Sequence, residues 1–260
     1  MLNLDVPAKL KDRNISEDVA NNVIYTCLGG SHISGTNDET SDIDLRSITS
    51  LTQSYYTGVN KFEHTKLTYN DVGFNQYGDL DIELFSLYHF LRELYHGEII
   101  PFEMIHVEAK HRLEIPEILS SVFAHKDRFV TKKVLTRYMR FVHKYHQKAS
   151  LKGVSKVNRT DRVNRVTMYG YETKYAMNVI KVCEMIQEIL SGKAVNLYRN
   201  NKDFLLSVKS GYYTQDQYIA VAEDLIKECN EKIEDSSDIA PYVDPNFMNP
   251  LMHGILSKFR

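Results

Sequence analysis

The sequence has little of the residues that mark several classes of protein. Only three cysteines occur in 260 residues, and Cys27, Cys183 and Cys229 are widely separated and form no CxxC pair. This spacing excludes a disulfide framework and a cysteine-based zinc site, and it predicts reduced, mostly buried thiols. The ten histidines form no HExxH motif and none has zinc-finger spacing to a cysteine. The histidines therefore do not indicate a zinc site.

Long apolar runs are also absent. No apolar stretch approaches the roughly 18 to 20 residues that a membrane-spanning helix needs. The N-terminal stretch MLNLDVPAKLKDRNISED lacks the charged-then-apolar order of a secretion signal. We therefore expect a cytoplasmic protein with no membrane segment. Its hydrophobic content of 43% suffices to build one large core or two small ones.

The net charge of −2 hides an uneven distribution. The basic segment, residues 125–165, holds thirteen Lys and Arg against two acids, whereas residues 216–238 hold eight Asp and Glu against two lysines. A basic segment favours a polyanion such as RNA, and nearby tyrosines are suited to stacking on unpaired bases: Tyr138, Tyr145, Tyr169 and Tyr171. Other interpretations stay open. The two charged blocks could pair with each other, or the basic face could serve a triphosphate or dock a protein.

Hydrophobic periodicity predicts an α+β front half, residues 1–115, and a helical back half, residues 116–260. Three strands are predicted in the front half, over residues 23–28, 43–48 and 79–85. Helices are predicted over residues 87–96, 129–147, 175–190, 203–209 and 214–232, with Gly97 and Gly192 ending the first and third of them. Residues 151–172 lack helical periodicity and are predicted to form a long loop.

Acidic residues alternate along two of these strands. Asp42 and Asp44 lie two apart, so their carboxylates point the same way and are placed to hold one metal ion, Mg²⁺ or alternatively Mn²⁺. Asp81 on the third strand is our choice for a third carboxylate, with Asp79 and Glu83 as alternatives on the same face. Three carboxylates would allow two ions to assist a phosphoryl displacement.

A turn rich in glycine follows the first strand. Gly30 lets the backbone approach a polyphosphate, and the Ser31 hydroxyl and nearby amides are suited to binding its oxygens. His32 follows directly and is a further candidate for phosphate contact. The residues therefore predict that a nucleoside triphosphate and a metal ion bind at one end of one sheet.

These motifs resemble the core of the polymerase-β-like nucleotidyltransferase superfamily, in particular its predicted members of the YcgL type and RNA-ligase-associated members. The family's GSxxxG turn matches Gly30, Ser31 and Gly35, and its SDxDxR strand matches residues 41–46. In the back half the family's Lys-x-Ala helix start matches Lys174-Tyr175-Ala176. A later glutamate-rich helix end matches residues 188–192, and a short segment ending in glycine matches residues 205–211.

The resemblance implies a small mixed β-sheet nucleotidyltransferase core followed by a helical C-terminal domain. It implies transfer of a nucleoside monophosphate from a nucleoside triphosphate to an acceptor hydroxyl, with release of pyrophosphate and help from Mg²⁺. On this hypothesis Gly30 and Ser31 bind the triphosphate, Asp42 and Asp44 bind the ions, and Asp81 completes the metal site and acts as a base.

Lys174 matches the family lysine and is a candidate phosphate contact, although an exposed first-turn lysine is an equally good interpretation. The role of Arg46 stays open. Two rival functions also remain: a non-catalytic protein that binds a nucleotide or a partner, of a regulatory or toxin–antitoxin type, and a nucleotidyltransferase that modifies protein instead of RNA.

Overall fold

The computed structural model describes residues 4–39, 41–59, 61–69, 79–150 and 160–259. By contacts between residues the chain divides into two compact units, Met1–Phe129 with Tyr242–Arg260, and Val130–Pro241. The division falls at a different place from the boundary at residue 116 that periodicity favours. Phe129 and Phe247 pack edge to face at 5.9 Å, and this contact ties both parts of the first unit together.

The elements of the first unit, in chain order, are α1 Val6–Asp12, α2 Glu17–Asn21, β1 Val23–Leu28, α3 Gly30–Ser34, β2 Ile43–Thr49, α4 Ser54–Thr57, β3 His64–Tyr69, β4 Leu80–Ser86, α5 Leu87–His96, α6 Ile99–His106 and α7 Ser120–Ala124. The second unit consists of α8 Lys132–Ala149, α9 Thr160–Tyr169, α10 Thr173–Leu190, α11 Lys202–Lys209 and α12 Gln215–Asp235. The chain then returns to the first unit with α13 Pro245–Leu256. Short 3₁₀ turns occupy Ala109–His111, Glu117–Leu119, Lys126–Phe129 and Ser257–Phe259.

A mixed four-stranded sheet with the order β1-β2-β4-β3 forms the centre of the first unit. β2 and β4 are parallel, and the other two pairs are antiparallel. The α+β class with a small mixed sheet and a helical second part is confirmed. β1, β2 and β4 lie within one residue of the predicted strands. β3 was not predicted.

One face of the sheet is apolar and is covered by helix. Leu45 of β2 lies beside Ile82 of β4, and both are buried. α5 contacts both strands and buries Phe90 and Leu94 completely. Each such side chain contributes about 1.5–3 kcal/mol when fully buried, so this face fixes the sheet in place. The opposite face of the same strands is then available for the acidic side chains.

The tight connection between β4 and α5 follows from its sequence. The Ser86 hydroxyl accepts a hydrogen bond from the backbone N–H of His89 (3.2 Å), which caps the helix. Gly97 ends it in the left-handed region at φ 73°, as the sequence predicts. β4 is therefore followed at once by the helix that covers its apolar face.

The helices of the second unit enclose an aromatic core. α10 packs against α8, α11 and α12, and the rings of Tyr171 and Tyr218 stack at 5.4 Å between centroids. Cys183 and Cys229 are buried free thiols in this core, and Cys27 is buried in the first unit. The prediction of reduced, buried cysteines is confirmed.

One prediction in this part of the chain was wrong, and another has a shifted boundary. The helix expected from Phe129 begins at Lys132, because the hydroxyl of Thr131 accepts a hydrogen bond from the Val134 amide and caps the first turn. Residues 160–169 of the expected loop form α9, which ends at Gly170 with φ 81°. The apolar spacing of so short a helix is a weak signal among its polar residues. The first part of the expected loop, residues 151–159, lies outside the described residues.

Among the residues that the structure describes, no helix combines the length and apolar composition that crossing a membrane requires.

Candidate active site

The turn after β1 places the backbone of two glycines against β2. The Gly29 amide donates a hydrogen bond to the Asp44 carbonyl (2.8 Å), and Gly30 starts α3 with φ 57°, in the region that favours glycine. A Cβ on Gly30 would lie only 2.0 Å from Oδ2 of Asp44. The Asp44 carboxylate therefore lies directly against the turn. Ser31, the next residue, is half-buried in α3.

The register of the sheet brings two predicted carboxylates side by side. Asp44 of β2 is the direct neighbour of Asp81 in the parallel strand β4. Neighbouring residues in a parallel pair project to the same face, so their carboxylates are adjacent. Asp42 lies one residue before β2, and all three aspartates are half-buried. The structure thus brings Asp44 and Asp81 together beside Gly30, with Asp42 near enough for its charge to act on Asp44.

The surroundings of the Asp44 carboxylate disfavour its negative charge. Burial raises the pKa of the Asp44 carboxyl, the charge of Arg46 opposes that shift, and the charge of Asp81 adds to it. The charge of Lys66 also lowers the pKa of Asp44, and the charge of Asp42 also raises it, both with smaller effect. Because the net shift is upward, the protein compensates the negative charge here less well than water would. Positive charge at this point would stabilise the ionised site.

Lys66 of β3 supplies part of that positive charge. Its Nζ lies 3.2 Å from Oδ2 of Asp81. Burial lowers the pKa of the Lys66 ammonium, but the hydrogen bond and charge of Asp81, with the charges of Asp44 and Glu83, outweigh it and the pKa is raised. Oδ1 of Asp81 is buried and has no hydrogen-bond partner among the described residues. Asp81 therefore keeps one oxygen uncompensated.

The two alternatives for the third carboxylate lie in different settings. Glu83 accepts a hydrogen bond at 2.9 Å from Nε2 of His64, and its neighbour in β2 is Arg46 rather than an aspartate. Asp79 precedes β4, and its carbonyl oxygen accepts a hydrogen bond from the Ile43 amide (2.8 Å). Of the three acidic residues, Asp81 is thus the one that lies directly beside Asp44.

Arg46 lies beneath the glycine turn. Its guanidinium donates to Oε2 of Glu103 on α6 at 2.6 Å, and only about a tenth of its side chain is exposed. A Cβ on Gly29 would lie 2.7 Å from the Arg46 Nε. The buried pair therefore supports the turn from below. Glu103 and Lys66 were not predicted from the sequence, because both reach the site only through tertiary contacts and neither belongs to a local motif.

The chemistry of the three aspartates fits a hard divalent cation, since Mg²⁺ and Mn²⁺ prefer carboxylate oxygens and Asp81 has a buried oxygen without a partner. As the side chains stand, no group of three or more His, Cys, Asp or Glu within the described ranges is arranged to hold a metal ion. Lys66 contacts one of the oxygens that such an ion would use. A metal site therefore stays a prediction, with Asp42, Asp44 and Asp81 as its ligands.

Lys174 and most of the basic segment, from residue 130 onward, belong to the second unit. Lys174 is exposed in the first turn of α10, after Glu172, whose side chain accepts a hydrogen bond from the Tyr175 amide (3.1 Å). Its assignment to a phosphate stays a prediction. In α8 the basic residues Arg140 and Lys144 are exposed, while the opposite side of the helix is buried. Residues 151–159, with three of the thirteen cations, lie outside the described part of the chain.

The four tyrosines suggested for base stacking fall into two groups. Tyr138 is 2% exposed and Tyr171 is fully buried, so both belong to the core and the suggestion was wrong for them. Tyr145 and Tyr169 are half-buried. Tyr145 packs edge to face on Tyr175 at 4.6 Å and is the better placed of the two beside the basic face of α8.

The family to which this chain is matched is a polymerase-β-like nucleotidyltransferase family. The family described as the RNA repair pathway DNA polymerase beta family (RlaP) matches residues 4–247, and the chain belongs to this family. The superfamily resemblance found in the motifs is thereby confirmed.

A protein of Enterobacteria phage T4, described as an uncharacterized 38.9 kDa protein in the nrdC-mobD intergenic region, is 28% identical over 127 residues, which cover 48% of this chain and 38% of the phage protein. The match therefore spans well under half of that relative. The crystal structure of a nucleotidyltransferase-like protein from Exiguobacterium sibiricum aligns over 87% of this chain and 73% of its own, with 10% identity and a TM-score of 0.32. A score this low does not establish a common fold.

Proposed function

We propose that this chain transfers a nucleoside monophosphate from a nucleoside triphosphate to a hydroxyl of RNA, in a reaction that depends on Mg²⁺ or Mn²⁺. The observation that carries the proposal is the placement of the Asp44 carboxylate beside Asp81 and against the backbone of Gly30. This placement supports binding of a triphosphate tail and of the metal that accompanies it at the same point.

The residues have distinct roles in this proposal. The backbone of Gly30 and the hydroxyl of Ser31 bind the triphosphate. Asp42, Asp44 and Asp81 hold the metal, which when bound stabilises the charge on the attacking and leaving oxygens. Arg46 keeps the turn and Asp44 in register from below, through its contact with Gly29 and its ion pair.

The bond changes balance without any further reactant. The acceptor oxygen bonds to the α-phosphorus, the bond from that phosphorus to its bridging oxygen breaks, and pyrophosphate leaves with the electron pair. The proton of the acceptor hydroxyl passes to a base. We assign this role to Oδ1 of Asp81, because it is buried and has no hydrogen-bond partner among the described residues.

RNA is the proposed acceptor on two grounds. The exposed side of α8 presents Arg140 and Lys144 at a spacing that puts both on one face, which suits a row of phosphates. The description of the family also names an RNA repair pathway.

The test is to incubate the protein with each α-labelled nucleoside triphosphate, Mg²⁺ or Mn²⁺, and either total RNA or cell protein. We expect label in RNA, and in a parallel reaction with a γ-labelled triphosphate we expect release of an equal amount of labelled pyrophosphate. Asp224→Asn, which changes an exposed carboxylate of α12, is the matched control and should keep full activity. Label in protein would replace the RNA acceptor with a protein. Triphosphate binding with no transfer under any condition would favour the non-catalytic alternative.

A further inference from the structure

Lys66 has a position that the proposed reaction leaves unexplained. In β3 its direct neighbour across the antiparallel pair is Glu83, yet its ammonium reaches diagonally to Asp81, at 3.2 Å from Oδ2. Glu83 is instead engaged by His64 at 2.9 Å. The lysine charge is thus directed to the carboxylate that lies beside Asp44.

The contact of Lys66 with Asp81 reduces the charge repulsion within the site when no metal is bound. Asp44 and Asp81 are adjacent, half-buried and alike in charge, and like charges at this separation repel. The ammonium of Lys66 offsets that repulsion. It also opposes binding of a divalent cation to the same carboxylate, because the ammonium at Oδ2 and the metal ion would repel each other at this short distance.

The side chain of Lys66 is free enough to leave. It is 55% exposed, whereas the Asp81 side chain that it contacts is 15% exposed. A lysine ammonium on a flexible four-carbon stem changes partner readily. A bound triphosphate would bring several negative oxygens to the neighbouring glycine turn and so offer the ammonium a new partner.

We propose that Lys66 is an internal counter-ion that competes with the divalent metal for Asp81, so that metal binds weakly alone and tightly only together with the triphosphate. This inference rests on the proposed function. It adds a coupling between the two ligands that none of the motifs predicts.

The first test measures binding of Mn²⁺ alone to the full chain by electron paramagnetic resonance. We expect Lys66→Met to bind Mn²⁺ about fivefold more tightly than the wild type, because an exposed ion pair opposes binding by an energy of this order. Lys66→Arg keeps the charge and should bind as weakly as the wild type. Lys61→Met removes the same charge from an exposed position outside the strand and is the matched control, with no change expected.

The second test repeats the titration with a non-hydrolysable triphosphate analogue present. In the wild type the analogue should tighten Mn²⁺ binding more than it does in Lys66→Met, by the same factor of about five. Equal Mn²⁺ affinity of Lys66→Met and wild type, with binding abolished in Asp44→Asn, would overturn the competition and leave the proposed function intact. Absence of Mn²⁺ binding to every variant, with and without the analogue, would overturn both.

Discussion

Substitution of Gly30 by alanine tests the closest contact in the site. The new Cβ would lie 2.0 Å from Oδ2 of Asp44, whereas ordinary contact begins at 3.4 Å, so the carboxylate or the turn must move by about 1.4 Å. A displacement of about 1 Å at a reacting centre costs about a hundredfold in rate. We therefore expect Gly30→Ala to lower the rate of nucleotidyl transfer about a hundredfold.

The cost to folding should be much smaller. Gly30 has φ 57°, and an alanine in the left-handed region costs about 1–2 kcal/mol. Gly192→Ala is the matched control. Gly192 has φ 80°, and a Cβ there would meet no atom of the described chain within 4 Å. Gly192→Ala should therefore lose stability through its backbone conformation without displacing any side chain.

The assay pairs transfer of α-labelled nucleotide under single-turnover conditions with urea unfolding of the same samples. We expect similar losses of stability in the two variants and a large loss of rate in Gly30→Ala alone. Transfer by Gly30→Ala within a few-fold of Gly192→Ala would refute the placement of Asp44 against the turn.

Three further predictions concern Arg46 beside the site, His106 in α6 and the basic face of α8. Arg46→Met should cost about 3 kcal/mol of unfolding free energy by removing the cation of the Arg46–Glu103 ion pair, and Arg46→Met/Glu103→Met should recover at least about 1 kcal/mol of it; a double variant no more stable than the single one would contradict the pairing. Burial lowers the pKa of His106 from 6.5 to about 4, so the unfolded chain binds the extra proton first and stability falls as the pH drops below 6.5. Between neutral pH and about pH 5 the wild type should lose about 2 kcal/mol more than His106→Leu in urea unfolding, and parallel losses would argue against a buried neutral ring. Arg140→Gln/Lys144→Gln should lower the salt slope of single-stranded RNA binding by about 1 to 2 in a filter assay, and an unchanged slope would remove α8 from the RNA surface.

The sequence contained enough to predict the acidic face of the sheet. Asp42 and Asp44 alternate with aliphatic residues, as do Asp81 and Glu83, and a period of two places such residues on one face of a strand whatever its partners are. The glycine turn was predictable for a similar reason, since few other residues adopt the backbone of Gly30. Both features follow from the local sequence, without knowledge of which strands pair.

Other features depended on which strands pair. Nothing local indicates that β3 lies beside β4, and without that pairing Lys66 has no visible link to Asp81. The same holds for Glu103, which lies 57 residues from its partner Arg46. Tyr138 and Tyr171 show the converse case. Their position near basic residues suggested a binding surface, but both side chains are buried in the core.

The most direct test of the central claim compares transfer of α-labelled nucleotide into RNA by the wild type, Asp44→Asn and Asp224→Asn under the same conditions. Asparagine keeps the shape of Asp44 but removes the charge that metal binding needs. We expect labelled RNA from the wild type and from Asp224→Asn, and none from Asp44→Asn. Equal labelling by the wild type and Asp44→Asn would contradict it and place the chemistry elsewhere in the chain.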